Sequence, residues 1–264
     1  MPIIQITRQE IYYAARGSHG APLVLIHGAG DNHLCWNGQL AALAHVTRGY
    51  ALDLPGHGRS RGAGRKTILD YALATREFLD ALQIERAVML GVSMGGAIAQ
   101  TLALEFPERI LGLGLIGTGA KLRVAPAFLR GLEDDFENTA RELAQNFFSA
   151  AALPELSAKS AANLLATGAG VTRDDFAACD AFDARARVGE IRAPTLIVCG
   201  AQDRLTPPRY AEFLAQRIAG AELRLIENAG HLAMLEQADE FNRILKEWLA
   251  RHQAEFHSTE SVIL

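Results

Sequence analysis

The sequence predicts an α/β fold, a mostly parallel sheet covered by helices on both faces. Three observations carry that expectation. "PLVLIHG" (22–28), "AVMLGVS" (87–93) and "PTLIVCG" (194–200) are short apolar runs closed by glycine or serine, the pattern of strands buried on both faces. Stretches with a 3.6-residue apolar period separate them, as crossover connections between parallel strands require. Residues 119–188 then interrupt the alternation with helical stretches such as "AFLRGLEDDFENTARELAQNFF" and no convincing buried strand. They are too long for a structureless loop.

Taken in order, residues 3–6 and 11–14 read as two short strands joined by a polar turn. The strand in 22–28 is followed by a helix over 36–44. Another strand, near 50–54, ends in the Pro/Gly turn of "DLPGHGRS". From Thr67, the recurrence of Leu69, Leu73, Phe78, Leu79 and Leu82 predicts a helix. The strand in 87–93 leads into a helix that Pro107 halts, and "ILGLGLIG" (110–117) is again a strand. Beyond 194–200 come a helix over 208–218 with proline in its first turn, a strand at 223–226 and a terminal helix from about 236 to 252. The tail from His252 onward is expected to fray. Residues 1–118 and 189–264 thus form one core domain, and 119–188 a helical cap inserted after the sixth strand.

Composition narrows the function classes. Of 264 residues, 49% are hydrophobic and 21% charged, with a formal net charge of -4, ordinary for a folded domain and unsuited to general nucleic-acid binding. The densest basic cluster, "RSRGAGRK" (59–66), reads as a solvated loop. Cys35, Cys179 and Cys199 are far apart, odd in number and without metal-ligand spacing, which points to reduced thiols and a cytoplasmic setting. The opening residues lack the charge and apolar pattern of a secretory signal. No run reaches the roughly 20 apolar residues of a membrane span.

The chemistry concentrates at strand ends. In "GVSMGG", Ser93 falls where a strand hands over to a helix, flanked by Gly91 and Gly95. Side chains at those two positions would collide across a tight turn that presents the serine hydroxyl. Serine needs a base, and histidine titrates in the useful range. Of eight histidines, His231 in "ENAGHLAMLEQ" follows the last strand and lies on the same sheet edge as Ser93. The imidazole needs an acid. Asp203 in "CGAQDRLTPP" follows the strand before it and is preferred over Asp53, which reads as ordering its own turn. The chain order Ser, Asp, His suits a triad on this kind of sheet. Backbone donors for an oxyanion are expected from Met94, at the helix start, and from Ala29 in "HGAGDN". Neither glycine-rich segment has the spacing of a phosphate-binding loop.

On "LVLIHGAG", "DLPGHGRS", "GVSMGG", "PTLIVCGAQD" and "AGHLAMLEQADEFN", the chain resembles the α/β-hydrolase fold superfamily over essentially its whole length, and in particular small capped carboxylesterases and 3-oxoadipate enol-lactonase-like hydrolases. The resemblance implies an eight-stranded sheet, a Ser93–Asp203–His231 triad, Ala29 and Met94 as oxyanion donors, and hydrolysis of a small ester or lactone through an acyl-enzyme, with no metal and no organic cofactor. C–C bond hydrolases of meta-cleavage products share the triad, but many carry an aromatic residue where Leu232 stands. A non-catalytic binding protein on the same fold would normally have lost one of the three triad residues. Trp36, Phe128, Leu132, Phe136, Phe147, Leu205 and Leu232 are candidate walls of an apolar pocket, and Arg123 or Arg130 could hold a substrate carboxylate. Monomer and homodimer both stay open.

Overall fold

The computed structural model describes residues 2–7 and 9–257. Eight strands form one sheet: β1 (Ile3–Ile6), β2 (Gln9–Arg16), β3 (Pro22–Ile26), β4 (Arg48–Leu52), β5 (Ala87–Val92), β6 (Ile110–Ile116), β7 (Thr195–Gly200) and β8 (Glu222–Ile226). Their order is β1-β2-β4-β3-β5-β6-β7-β8. β2 pairs antiparallel with β1 and β4, and every other pairing is parallel. Every residue of β5, β6 and β7 is buried, which explains their unbroken apolar runs. The edge strand β8 is half exposed and alternates more.

The helices are α1 (Asn37–Leu43), α2 (Ile68–Ala81), α3 (Met94–Glu105), α4 (Pro126–Asp134), α5 (Phe136–Asn146), α6 (Pro154–Thr167), α7 (Ala169–Ala181), α8 (Pro208–Arg217), α9 (Ala233–Glu236), α10 (Ala238–Arg251) and α11 (Gln253–His257). Thr67 caps α2 by accepting from the Asp70 amide, leaving Ile68, Tyr71, Phe78 and Leu79 for the buried face. Helix α3, rich in alanine and glycine, is almost wholly buried. Helices α4–α7 lie between β6 and β7, and a bridge between Lys121 and Asp183 closes the base of this insertion. Among the described residues, no helix is long and apolar enough to cross a membrane.

The strand order reverses at β3, whose neighbours are β4 on one side and β5 on the other. A crevice opens at such a switch point, beyond the carboxyl ends of the strands. The loops carrying Ala29 and Ser93 leave the sheet there, and those carrying Asp203 and His231 leave the same edge after β7 and β8.

Several boundaries shift by a few residues from the sequence expectation, β4 to Arg48–Leu52 among them, and two of the differences have a clear physical reason. Trp36 belongs to a 3-10 turn, His33–Trp36, capped by the Asn32 side chain, and α1 starts one residue later. The terminal chain does not fray at His252. Residues Gln253–His257 form α11 because Phe256 docks, 5% exposed, with its ring 5.6 Å from that of Trp248. Gly112 of β6 makes room for it, since a Cβ there would lie 3.0 Å from the Phe256 ring. The rest of the expected fray, 258–264, lies outside the described residues. Phe256→Ala should lower the unfolding free energy by about 3 kcal/mol, the usual cost of emptying a buried phenylalanine site, as read from urea denaturation.

Candidate active site

Ser93 connects β5 to α3 with φ 54° and ψ -116°, a left-handed conformation that costs a non-glycine residue strain. The surroundings hold it there. Its amide donates to Ile116 O at 2.9 Å, and Thr118 Oγ1 donates to its carbonyl at 2.9 Å. A Cβ on Gly91 would lie 2.1 Å from Gly95 O, and one on Gly95 would lie 2.3 Å from Ile26 O. The Ser93 side chain makes no capping bond to α3.

His231 is 3% exposed and Asp203 is equally buried. The His231 ring donates from Nδ1 to Asp203 Oδ2 at 2.9 Å, which leaves Nε2 as the basic nitrogen. Asp203 Oδ1 accepts from the Leu205 and Thr206 amides, both at 2.9 Å, and Oδ2 also accepts from Thr206 Oγ1 at 2.8 Å. Burial works against ionisation of Asp203, but His231 and the Thr206 bonds outweigh it and hold the carboxyl below its usual range.

The His231 loop is fixed from the insertion side. Its amide donates to Phe147 O at 2.8 Å, and the Phe147 ring lies 5.9 Å from the imidazole. Glu236 bridges the two parts, accepting from Gly230 N at 2.6 Å and from Ser149 N at 2.9 Å. Ala29 lines the same cavity as Ser93, and Met94 follows Ser93 in the chain. Met94 is the first residue of α3, so its amide has no partner within the helix, and neither amide donates to a described backbone carbonyl. Gly28 lies against the turn, a Cβ there being in van der Waals contact with Ser93 Cβ at 3.4 Å.

One cavity of about 190 Å³ collects Ala29, Ser93, His231, Leu205 and Thr206 from the core, and Leu122, Arg123, Val124, Ala125, Phe128, Leu143, Asn146, Phe176 and Cys179 from the segment between β6 and β7. Arg204 also lines it. Of the seven pocket candidates in the sequence, Phe128 and Leu205 line this space and five do not. Trp36 is fully buried against Phe241 of α10, because α1 packs on that helix and Gln39 bonds to Met234 O and Asn242. Leu132, Phe136 and Leu232 are taken up by hydrophobic packing, and Phe147 braces His231 instead. Arg123 lines the cavity, whereas Arg130 does not. Thr206, Phe176 and Cys179 were missed. Thr206 could have been suspected, since a hydroxyl three residues after an aspartate commonly closes a turn on it.

Beneath the site lies a buried polar layer. Asp53 accepts from His33 N at 2.7 Å, from His33 Nδ1 at 2.8 Å and from Arg59 N at 2.8 Å, so it orders its own turn. His27 has Nδ1 2.7 Å from Gly28 O and accepts from Leu54 N on Nε2 at 3.0 Å. Burial and the neighbouring His57 push its pKa down to about 3, so it is neutral. His57 faces oxygen acceptors on both nitrogens, Pro55 O at 3.0 Å and Asp175 Oδ2 at 2.7 Å. Burial alone would lower its pKa, but the Asp175 carboxylate overcomes this and raises it.

The model of the alpha/beta hydrolase fold family matches residues 21–238. The chain belongs to this family. This α/β hydrolase is 29% identical over 250 residues to a pimeloyl-[acyl-carrier protein] methyl ester esterase of Pectobacterium carotovorum, covering 88% of this chain and 95% of the relative. It is 30% identical over 269 residues to a 2-hydroxy-6-oxo-6-phenylhexa-2,4-dienoate hydrolase of Comamonas testosteroni, covering 90% and 91%. The crystal structure of the enol-lactonase from Burkholderia xenovorans LB400 superposes with a TM-score of 0.89 at 26% identity, covering 94% of this chain and 100% of that one.

The His57 pair gives the hydrolase a pH-dependent stability term. Asp175, Asp53, His27 and Tyr71 surround that ring. Because its folded pKa is raised above 6.5, the native state holds a proton that the unfolded state releases first. The stabilisation is complete below pH 6.5 and is lost as pH rises through the raised value. Urea unfolding of wild type and His57→Gln across pH 6–10 should show the gap between them narrowing towards alkaline pH.

Proposed function

We propose that this α/β hydrolase is a serine esterase that cleaves small carboxylic esters through an acyl-enzyme, with Ser93, His231 and Asp203 as its triad. The observation that carries the reading is the single cavity where a strained, uncapped Ser93 meets an imidazole held by Asp203. His231 takes the proton of Ser93 as the hydroxyl attacks the ester carbonyl. The amides of Ala29 and Met94 receive the oxyanion, each worth about 3 kcal/mol in the transition state. Protonated His231 then gives its proton to the leaving alcohol. Water repeats the sequence and releases the acid.

The insertion acts as a cap. Its apolar walls, with Phe128, Leu143 and Phe176 foremost, and the 190 Å³ volume suit a short to medium acyl group. The methyl ester esterase relative accords with this.

One observation favours a second reading, in which the substrate is an acidic ester or an enol-lactone acid. Arg123 and Arg204 line the cavity, and Arg123 also lines a neighbouring one of about 260 Å³ with Lys121, Arg185, Arg209, Tyr210 and Phe213. Lys121 and Arg185 share Asp183. Arg123 and Arg204 have no carboxylate partner among the described residues.

Ser93→Ala should abolish turnover of nitrophenyl butyrate and labelling by a fluorophosphonate, with the folded protein retained; persistent turnover would remove Ser93 from the mechanism. For the acidic reading, the measurement is kcat/KM on a nitrophenyl hemisuccinate against its neutral methyl ester. Arg123→Ala should lower that ratio about tenfold, or about 1.4 kcal/mol, and an unchanged ratio would leave the neutral ester as the better substrate class.

A further inference from the structure

Asp175 belongs to α7 of the insertion, yet its carboxylate is fully buried and every described donor to it comes from the core. Oδ2 accepts from Gly30 N at 2.9 Å and from His57 Nε2 at 2.7 Å, and Oδ1 accepts from Tyr71 Oη at 2.6 Å. Gly30 is the residue next to Ala29. The grip on this loop is wider than one bond. Thr167 Oγ1 of α6 donates to Gly30 O at 3.0 Å, and Asn163 Nδ2 of the same helix donates to Asp31 Oδ1 at 2.7 Å. Gly30 has φ +67°, and a Cβ on it would lie 2.4 Å from Leu164 Cδ2. The insertion therefore holds the peptide planes on both sides of Gly30.

We propose that Asp175 is a positioning residue of the oxyanion hole: a carboxylate carried by the cap clamps the Gly30 amide and thereby sets the Ala29 amide against the reacting carbonyl. The inference rests on the acyl-transfer reading above. An oxyanion donor is useful only if it is fixed before charge develops. The peptide between Gly28 and Ala29 follows β3 by two residues, and the loop beyond it has no ladder to hold it. His27 Nδ1 and the Asp31 amide reach the Gly28 carbonyl of that peptide, at 2.7 and 3.3 Å. Asp175 adds the hold on the next peptide, at Gly30 N, while His57 and Tyr71 anchor the carboxylate to the core. The bonds of Asp175 to Gly30 N and of Thr167 to Gly30 O make the hole depend on the cap: if α6 and α7 lift, the two Gly30 peptides lose both partners.

A readout that ignores substrate fit tests this. The rate at which a fluorophosphonate phosphonylates Ser93 depends on the hole, because the phosphoryl oxygen occupies it. Asp175→Ala should slow phosphonylation and kcat for nitrophenyl butyrate by about 100-fold, the scale of losing one oxyanion donor, with KM changed by less than about threefold. Asp175→Asn should recover most of the rate. Its amide oxygen can still accept from Gly30 and His57 while its NH₂ donates to the Tyr71 oxygen. Thr167→Val removes only the bond to Gly30 O and should cost about fivefold in kcat. A folded Asp175→Ala enzyme that labels at the wild-type rate, or loses only in KM, overturns the proposal. If that variant does not fold, Thr167→Val decides, and an unchanged kcat overturns it. Wild-type protein that takes no phosphonate on Ser93 sinks the acyl-transfer reading itself, a distinct outcome from equally fast wild type and variants.

Discussion

The left-handed turn at Ser93 is the constraint on which the rest of the site depends. A non-glycine residue held at φ 54° costs about 1–3 kcal/mol, and the fold must over-determine that residue to keep it there. It does so by bringing three segments into contact distances that side chains would forbid. Helix α3 starts so close to β3 that Gly95 faces Ile26 O, and Gly91 faces Gly95 O across the turn. The approach that secures the turn also brings Gly28 against Ser93 Cβ. The same close packing thus brings the loop that carries Ala29 against the turn that carries Ser93 and Met94.

The polar layer beneath obeys a second constraint, that buried charge must be matched. His27 and His57 have ring centres 4.8 Å apart, and two imidazolium ions at that separation in a dry interior would repel strongly. The fold resolves this by geometry. His27 receives a backbone N–H on Nε2 and so is kept neutral, whereas His57 meets oxygen acceptors on both nitrogens, and the Asp175 carboxylate raises its pKa. Asp53 and Asp175 divide the remaining donors, one serving the turn after β4 and the other the loop after β3.

The sheet and the three residues now clustered on its edge were legible because each sits in a local pattern: an apolar run, its stop, and a polar residue a few positions beyond. Ser93, Asp203 and His231 each follow a strand whose period is unambiguous. The insertion was legible as helices and little more. Helical spacing says that Leu132, Phe136 and Phe128 can be buried, but not whether the partner is a neighbouring helix or a cavity, and the first two went to packing. Trp36 illustrates the same limit, since a residue just after the β3 loop reads as near the site, while its side chain packs on α10. Asp175 was invisible for another reason. Its partners stand 145, 118 and 104 residues away, and one acidic residue in a helix carries no local sign of so distant a donor.

These contacts divide labour within the insertion. Residues 122–128 and α5 mainly supply cavity wall, whereas Asn163 and Thr167 of α6 hold the loop after β3. Helix α7 does both. Phe176 and Cys179 line the cavity, and Asp175 lies one and four positions before them, within a single turn of helix. Changes that reshape the pocket at 122–128 can leave the loop untouched. Changes at 176 or 179 act on a helix that also carries the bond to Gly30. Reshaping the cavity at the start of the insertion therefore disturbs the loop after β3 less directly than reshaping it at α7.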